Sequence, residues 1–535
     1  MSRSRTDALL LIVFCGFLFF YGLGSFGLLG ADEPRYAQVA REMFDRHDWV
    51  TPTLSGKPWL EKPPLYYWQA MVSYAVFGES DRAARIPAGV DAGLLVAAIY
   101  FFLRRFRPGS QVDGSLIAAS CAATVGLARA AATDMPLAAA FTIAMLGWYA
   151  WHESGKRIYL CVFYAFIGLG TLAKGPVAPF LAGAIVAIFA ALKRDWRALL
   201  RSLWIPGIVV FLIIVAPWYI AVQMRNPEFF RVFILEHNLA RFSQDVYHHH
   251  QPFWFYIPVA LLSLVPWTVF ALAPVIARLR SAWSERLQAF SSEEDSWAWF
   301  LFIWLVVPIT FFSFSQSKLP GYILPAIPAG ALLATNYLAE RREQQARVPI
   351  WLATLHALIC ALVMFGPLAA PQYLLRHRLV WDRGTMVAIA VAGITAVIVG
   401  IFLQTSSGFR AVRVLTMLPV VLGVAAILRL ASPIIDQTLS ARPIAHIIQN
   451  LSEEKFPVAV FQVSREQQYG LEFYLNRDTS RYEDHKIPLA GHLLVAGHDA
   501  LKLAARGLAG RKVSLLTNIP AQNLDIYWIG PLAPQ

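Results

Sequence analysis

Charged residues are scarce in this sequence of 535 residues. Only 15% of the residues are Asp, Glu, Lys or Arg, whereas 57% are hydrophobic and the mean hydropathy is +0.50. A water-soluble protein carries about 25% charged residues. This deficit excludes an ordinary soluble protein, and repeated apolar runs of about 20 residues indicate a chain that crosses a membrane many times.

Cysteine is also rare, and the four that occur lie in apolar segments: Cys15, Cys121, Cys161 and Cys360. Their spacing excludes a disulfide framework and a cysteine zinc site, and it predicts small buried side chains.

The net charge of +12 would suggest nucleic-acid binding in a soluble protein. In a membrane protein, Lys and Arg in cytoplasmic loops account for such a charge, so we expect no nucleic-acid partner.

The apolar runs predict a mainly α, polytopic membrane protein with about 13 transmembrane helices. The predicted spans are 7–29, 82–103, 112–130, 135–151, 158–173, 176–192, 203–223, 253–277, 297–314, 319–339, 349–369, 384–404 and 411–430. The first run lacks a small-residue cleavage site, which favours a retained helix over a signal peptide. Basic residues collect in alternate short loops, and this places those loops in the cytoplasm.

This orientation puts two long loops, 30–81 and 224–252, on the outer face of the membrane. We predict a transmembrane catalytic domain over 1–430 and a small α/β soluble domain over 431–535, also outside. The tail alternates in hydrophobicity as strands do. Its predicted elements are strands at 456–461 and 512–516 and helices at 444–451 and 500–508.

The outer loop 30–81 contains the most informative polar cluster, which begins Asp32-Glu33-Pro34-Arg35-Tyr36. Charge beside lipid is costly, so it indicates a functional site. Apolar residues at helical spacing predict an amphipathic helix from Glu33 to Arg46 that lies along the membrane. Asp32 precedes that helix, and an N-terminal cap is the alternative explanation for its carboxylate.

Glu61 and Lys62 precede Pro63-Pro64, which predicts the start of a second interfacial helix. A lysine beside a helix N-terminus is suited to binding phosphate, although a structural role for Lys62 stays open. Lys318 also precedes a helix on the outer face. It is either an interfacial anchor or a second phosphate ligand.

Asp134 lies at the edge of a predicted membrane helix, without a cation next to it in sequence. Such a carboxylate requires a raised pKa or a partner from elsewhere, unless it caps the helix.

Three adjacent histidines, His248, His249 and His250, occupy the loop 224–252. One of them together with a distant carboxylate is suited to a metal, whereas a solvated histidine run is the alternative.

Taken together, these motifs resemble the bacterial lipid A aminoarabinose transferases, which belong with the protein O-mannosyltransferases among the GT-C glycosyltransferases. The motifs are Asp32 to Tyr36, Trp59 to Leu65, Lys174-Gly175-Pro176, Arg241-Phe242 with Pro252-Phe253-Trp254, and Ser317 to Pro320 with Tyr322 to Pro325. They run through the whole membrane portion in order. The resemblance therefore implies a GT-C fold.

The resemblance also implies an inverting transferase that moves 4-amino-4-deoxy-L-arabinose from undecaprenyl phosphate to a lipid A phosphate, giving polymyxin resistance. The enzyme would be multi-pass in the bacterial inner membrane, surrounded by membrane lipid, with its site facing the periplasm. We expect a monomer. A transferase with another lipid-linked sugar and a protein or glycan acceptor is the main alternative, and a lipid transporter is a distant one because charges do not concentrate at helix midpoints.

The residue roles follow from the resemblance. Asp32 and Asp134 are expected to be catalytic, Arg35, Lys62 and Lys318 to bind the donor phosphate, and Glu61 and His249 to bind a divalent metal, with zinc as the expected ion. His248 and His250 remain alternatives to His249. Asp32 would be a general base for a hydroxyl acceptor, but an ionised phosphate needs little deprotonation. Asp32 would then position the acceptor or hold the amino group of the sugar, and Asp134 is a second candidate for contact with that amine.

Overall fold

The computed structural model describes residues 3–240, 251–284, 296–405, 408–451, 456–498, 500, 508 and 510–532. Most of these residues are helical. The helices up to the second long loop are α1 Arg3–Cys15, α2 Asp32–Asp45, α3 Leu65–Phe77, α4 Asp81–Phe106, α5 Gln111–Ser120, α6 Ala122–Leu127, α7 Asp134–Ser154, α8 Arg157–Lys174, α9 Val177–Lys193, α10 Trp196–Ser202 and α11 Ile205–Arg225.

The remaining helices are α12 Tyr256–Ser263, α13 Thr268–Ser284, α14 Ser296–Ser313, α15 Ile327–Glu343, α16 Ile350–Arg376, α17 Arg383–Gln404, α18 Gly408–Ala426, α19 Ser432–Leu439, α20 Arg442–Leu451 and α21 Arg465–Leu475. Short π-helical segments occupy Gly16–Phe20, which continues α1, and Arg231–Ala240 and Ile427–Ala431, and a 3-10 segment at Pro320–Ala326 leads into α15. Every predicted span overlaps a helix, which confirms the mainly α prediction.

Eight helical segments within the described residues are long and apolar enough to cross a membrane. Other predicted spans are divided into shorter pieces, since the segment 112–130 forms α5 and α6 and the segment 253–277 contains α12 and α13. The last helical stretch continues to Leu439, beyond the predicted domain boundary at residue 430. Each of the 13 predicted spans corresponds to one or two helices, so the number of apolar helical segments is close to the prediction, although several boundaries differ.

The first predicted span, 7–29, is too long, because helical structure ends at Phe20. Glycines follow, and Gly22 and Gly30 have φ of +69° and +63°, where a side chain would be strained. Gly27 lies so close to the C-terminal region that a Cβ would come within 2.1 Å of Ser440 Oγ. The first helical stretch ends before the predicted boundary at residue 29 because the glycine-containing segment after it packs against the C-terminal region.

The two helices predicted in the first outer loop are present as α2 and α3, and their position along a membrane surface stays a prediction. Along α2, the side chains of Tyr36, Val39, Ala40 and Met43 are buried at helical spacing. This face packs against α3 and against α21 of the tail. The amphipathic pattern thus arises from burial between two protein surfaces.

Glu33 and Arg85 form a buried ion pair that fixes the start of α2. Arg85 donates to both carboxylate oxygens of Glu33, at 3.0 and 2.7 Å. The same carboxylate accepts the backbone N–H groups of Leu29 and Ala131, each at 2.7 Å. Because Ala131 precedes α7, one carboxylate joins the loop before α2 to the loop before α7.

A hairpin in the first outer loop supplies β1 Thr53–Leu54 and β2 Lys57–Pro58. The C-terminal region contains five further strands, β3 Val458–Phe461, β4 Ser480–Arg481, β5 His492–Gly497, β6 Val513–Ile519 and β7 Leu524–Ile529. They form one mixed sheet in the order β4-β3-β5-β7-β6. Leu494 of β5 pairs with Tyr527 of β7. Both predicted strands and the first predicted helix are confirmed, whereas the helix predicted at 500–508 lies largely outside the described residues.

Candidate active site

Asp32 and Arg35 form an ion pair in the first turn of α2. The cap position is Ala31, which makes no side-chain capping hydrogen bond. Asp32 is therefore the first helical residue and not a cap, so that alternative is wrong. Its side chain is 51% exposed. An exposed carboxylate in a first turn is favoured by the helix dipole and remains accessible to a ligand.

Three aromatic rings surround the Arg35 guanidinium, and we call this group the arginine cage. The carbon Cζ lies 5.2 Å from the ring centre of Tyr36, 5.1 Å from Trp59 and 5.8 Å from Tyr469. Nε of Arg35 and Nε1 of Trp59 are buried without a hydrogen-bond partner among the described residues. Buried donors of this kind are uncommon in folded proteins and indicate a place where a ligand or water completes the structure.

Glu61 lies close enough to Arg35 for electrostatic attraction, and it also faces His237. Oε1 of Glu61 is 3.8 Å from Nε2 of His237, and both side chains are mostly buried. The predicted ligand His249, with His248 and His250, falls in 241–250, outside the described residues. The sequence does not single out His237, because a lone histidine carries no metal-ligand spacing and its neighbour Glu61 is far away in the chain.

Lys62 follows Glu61 directly and is half-buried before the two prolines that precede α3. One turn further on, the Tyr67 hydroxyl is buried and has no hydrogen-bond partner among the described residues. Burial raises the pKa of Tyr67 far above its usual range, although the charge of Arg35 opposes the shift. Tyr67 therefore stays protonated and remains a hydrogen-bond donor.

Asp134 forms a second charged pair at the start of α7. Nζ of Lys174, the last residue of α8, lies 2.5 Å from Oδ1 of Asp134. The same ammonium lies 4.8 Å from the ring centre of Tyr322. No side chain caps α7, and the cap position is Thr133. The sequence therefore correctly required a partner from elsewhere, and the cap alternative is wrong here as well.

Gly321 makes room for this pair, because a Cβ there would lie 2.9 Å from Oδ1 of Asp134. The 3-10 segment that contains Gly321 thus packs directly on the carboxylate. Any side chain at this position would force the Asp134 carboxylate or the segment to move. The close approach holds the start of α7 against the turn before α15.

Lys318 is buried, and its ammonium donates to the carbonyl oxygens of Ser315 and Gln251 at 2.5 and 3.0 Å. Burial lowers the pKa of Lys318. The described residues include no ion pair between Lys318 and a carboxylate. The structure gives Lys318 a role in joining two outer segments, and its predicted contact with the donor stays a prediction.

Comparisons with known proteins identify the family. The profile described as dolichyl-phosphate-mannose-protein mannosyltransferase matches residues 61–220. An undecaprenyl phosphate-alpha-4-amino-4-deoxy-L-arabinose arabinosyl transferase from Aeromonas hydrophila is 31% identical over 439 residues, which are 80% of this chain and 78% of the relative. The chain belongs to this transferase family.

A transferase of the same name from Pseudomonas aeruginosa is 33% identical over 347 residues, which are 64% of this chain. In that alignment the chain spans 61% of the length of the relative. ArnT from Cupriavidus metallidurans, solved bound to undecaprenyl phosphate, shares the fold with a TM-score of 0.78 over 99% of each chain and 22% identity. The chain is a multi-pass membrane protein of GT-C type.

Proposed function

We propose that this protein transfers 4-amino-4-deoxy-L-arabinose from undecaprenyl phosphate to a phosphate group of lipid A. The observation that carries the proposal is the grouping of Asp32 and Glu61 around Arg35, with Lys62 next to Glu61 in the chain. Family membership supports the same reaction. The site faces the periplasm of a bacterial inner membrane, since basic loops mark the opposite face as cytoplasmic.

The reaction is a direct displacement at the anomeric carbon. An oxygen of the acceptor phosphate forms the new bond, the bond from the sugar to undecaprenyl phosphate breaks, and the configuration inverts. The leaving phosphate gains negative charge in this step. Arg35 and Lys62 stabilise that charge, and preorganised donors of this kind lower a barrier by about 3–4 kcal/mol each.

Asp32 does not need to remove a proton, because the acceptor phosphate is already ionised. Its carboxylate pairs with Arg35 and is half exposed, so it orients the guanidinium and offers a free face to the sugar. A protonated sugar amine is a natural partner for that face. Asp134 is the second candidate for this contact, although Lys174 already occupies one of its oxygens.

Glu61 and His237 supply the ligand types that zinc prefers, and they face one another across 3.8 Å. Within the described residues, no group of three potential ligands occurs. A divalent metal here would therefore be held by these two side chains together with further ligands. Such an ion would supply positive charge beside the phosphate that Lys62 and Arg35 bind.

Mass spectrometry of lipid A tests the proposal. We expect lipid A from a host without its own pentosamine transferase to gain the mass of one pentosamine when this chain and the lipid-linked sugar are both present. Lys62→Ala is expected to abolish the gain while the protein still inserts. Lys57→Ala, an exposed lysine of the same loop, is the matched control and should transfer normally.

A peptide acceptor offered in parallel separates the alternative activity, because the matching family profile is named for a protein mannosyltransferase. A labelled peptide with unmodified lipid A would overturn the proposed acceptor. Full transfer by Lys62→Ala would instead remove the phosphate role of that lysine.

A further inference from the structure

The arginine cage is built from two distant parts of the chain. Tyr36 and Trp59 belong to the first outer loop, whereas Tyr469 belongs to α21 of the C-terminal region. Ser464 caps α21 in a reciprocal capping box with Gln467, which fixes the first turn of the helix. Tyr469 therefore projects from a well-defined helix into the candidate active site.

The contact between α2 and α21 is held by a buried arginine, Arg41, six residues after Arg35 on α2. Nη1 of Arg41 donates to the carbonyl of Phe473 at 2.6 Å, and its guanidinium lies 4.1 Å from the Phe473 ring centre. Nε of the same residue is 2.7 Å from Oε2 of Glu79. Because Arg41 and Phe473 are both buried, α21 cannot leave α2 without exposing an apolar ring and breaking the hydrogen bond from the Arg41 guanidinium to the Phe473 carbonyl.

A second set of contacts fixes the other side of the tail. Arg442 pairs with Asp81 of α4 at 2.9 Å and with Asp436 at 2.8 Å. The Tyr474 hydroxyl accepts the backbone N–H of Leu28 at 2.7 Å. Tyr474 lies on the same helix as Tyr469, and its hydroxyl also donates to Oδ2 of Asp81 at 3.3 Å. The helix that carries Tyr469 therefore contacts both ends of the loop that carries Asp32 and Arg35.

We propose that Tyr469 is a positioning residue for Arg35. Through this residue the C-terminal region helps to orient the guanidinium that binds the donor phosphate. This inference rests on the proposed function. A guanidinium binds phosphate through its planar N–H edge, which requires a defined orientation of the plane. Asp32 alone fixes only one end of the group, whereas aromatic faces around it restrict its rotation and exclude water.

Binding and turnover of the purified full-length protein in detergent test the role of Tyr469. We expect Tyr469→Ala to weaken binding of undecaprenyl phosphate and raise KM for the lipid-linked sugar, each by about 5- to 30-fold. The turnover number should change less than KM. Tyr469→Phe retains the ring and should behave as the wild type. Glu466→Ala, an exposed residue one turn earlier on α21, is the matched control.

Tyr469→Leu provides a second variant that fills the space without an aromatic face. It should weaken binding as Tyr469→Ala does, with an unfolding midpoint close to that of the wild type. Equal binding by the wild type, Tyr469→Ala and Tyr469→Leu would overturn the inference alone. Weak binding by Tyr469→Phe would do the same, because it would assign the effect to the hydroxyl. A wild type that fails to bind undecaprenyl phosphate would overturn the proposed function as well.

Discussion

Asp32 and Glu33 are adjacent carboxylates at the start of one helix, yet they have opposite environments. The Glu33 side chain is 10% exposed and the Asp32 side chain is 51% exposed. Glu33 accepts hydrogen bonds from Arg85 and from two backbone N–H groups. Asp32 has an ion pair with Arg35 and an open face.

The difference in environment separates a carboxylate that stabilises the fold from one that is available to a substrate. A carboxylate whose lone pairs are all occupied has no capacity left for a substrate, but it can hold two loops in place. A half-exposed carboxylate with one charged partner can still bind a substrate group. Loss of Glu33 or its partner should therefore lower stability, whereas substitution of Asp32 should lower turnover. Four predictions test this distinction and the site around Asp32.

The largest effect is expected for Arg85→Met, which leaves the buried charge of Glu33 without its partner. Loss of one member of a buried ion pair costs about 3–5 kcal/mol of folding free energy. The variant should accumulate poorly or show a clearly lower unfolding midpoint in detergent. Arg82→Met, at an exposed position of the same helix, is the control. Equal stability of the two variants would contradict the supporting role of Glu33.

Asp32→Asn is expected to lower the turnover number by about 100- to 1000-fold, as removal of a preorganised charged group does. Its unfolding midpoint should match that of the wild type, because the side chain is half exposed. Measurement of turnover and midpoint on the same preparation checks both expectations. If Asp32→Asn unfolds early while Glu33→Gln folds normally, the assignment of roles to the two carboxylates is reversed.

Metal content provides the third test. Glu61→Ala and His237→Ala are each expected to lower metal affinity by at least about tenfold, since second-shell changes alone reach that range. Elemental analysis of purified protein gives the zinc content directly. Glu228→Ala removes an exposed carboxylate that pairs with Arg231 and should leave the metal content unchanged. Loss of zinc in His249→Ala but not in His237→Ala would return the assignment to His249.

Asp134→Asn should have the smallest effect, a decrease of about tenfold in turnover, because a charge-assisted hydrogen bond contributes about 1.5–3 kcal/mol. The Lys174 ammonium would lose its ionised partner but could still contact the amide. Assays with the lipid-linked sugar at several concentrations separate KM from turnover. An effect as large as that of Asp32→Asn would make Asp134 an equal participant in the reaction.

Much of the fold follows from local properties of the chain. Long apolar runs must form helices in a membrane, because backbone groups in lipid require hydrogen bonds within the same segment. This explains why every predicted span overlaps a helix. The break between α5 and α6 and the early end of the first helix were not predictable, because they depend on packing against Val265 and Ser440.

The site was predictable in part. Asp32, Arg35, Glu61 and Lys62 stand out as charges in an apolar chain, and the structure brings Asp32 and Glu61 close enough to Arg35 to attract its charge. His237 and Tyr469 did not stand out, since a lone histidine and a tyrosine carry no signal without their neighbours. The partner of Asp134 was expected, but only the structure identified Lys174.

The sequence by itself determined that this chain is a helical membrane protein, and it predicts that the candidate site residues lie in outer loops. Composition and apolar run length are sufficient for this, because transfer from water to lipid acts on each segment separately. Only the tertiary structure decided which charged residues are buried in contacts that stabilise the fold and which remain accessible to a substrate. That distinction depends on contacts between residues far apart in sequence, such as Glu33 with Arg85 and Arg35 with Tyr469, and local patterns do not contain them.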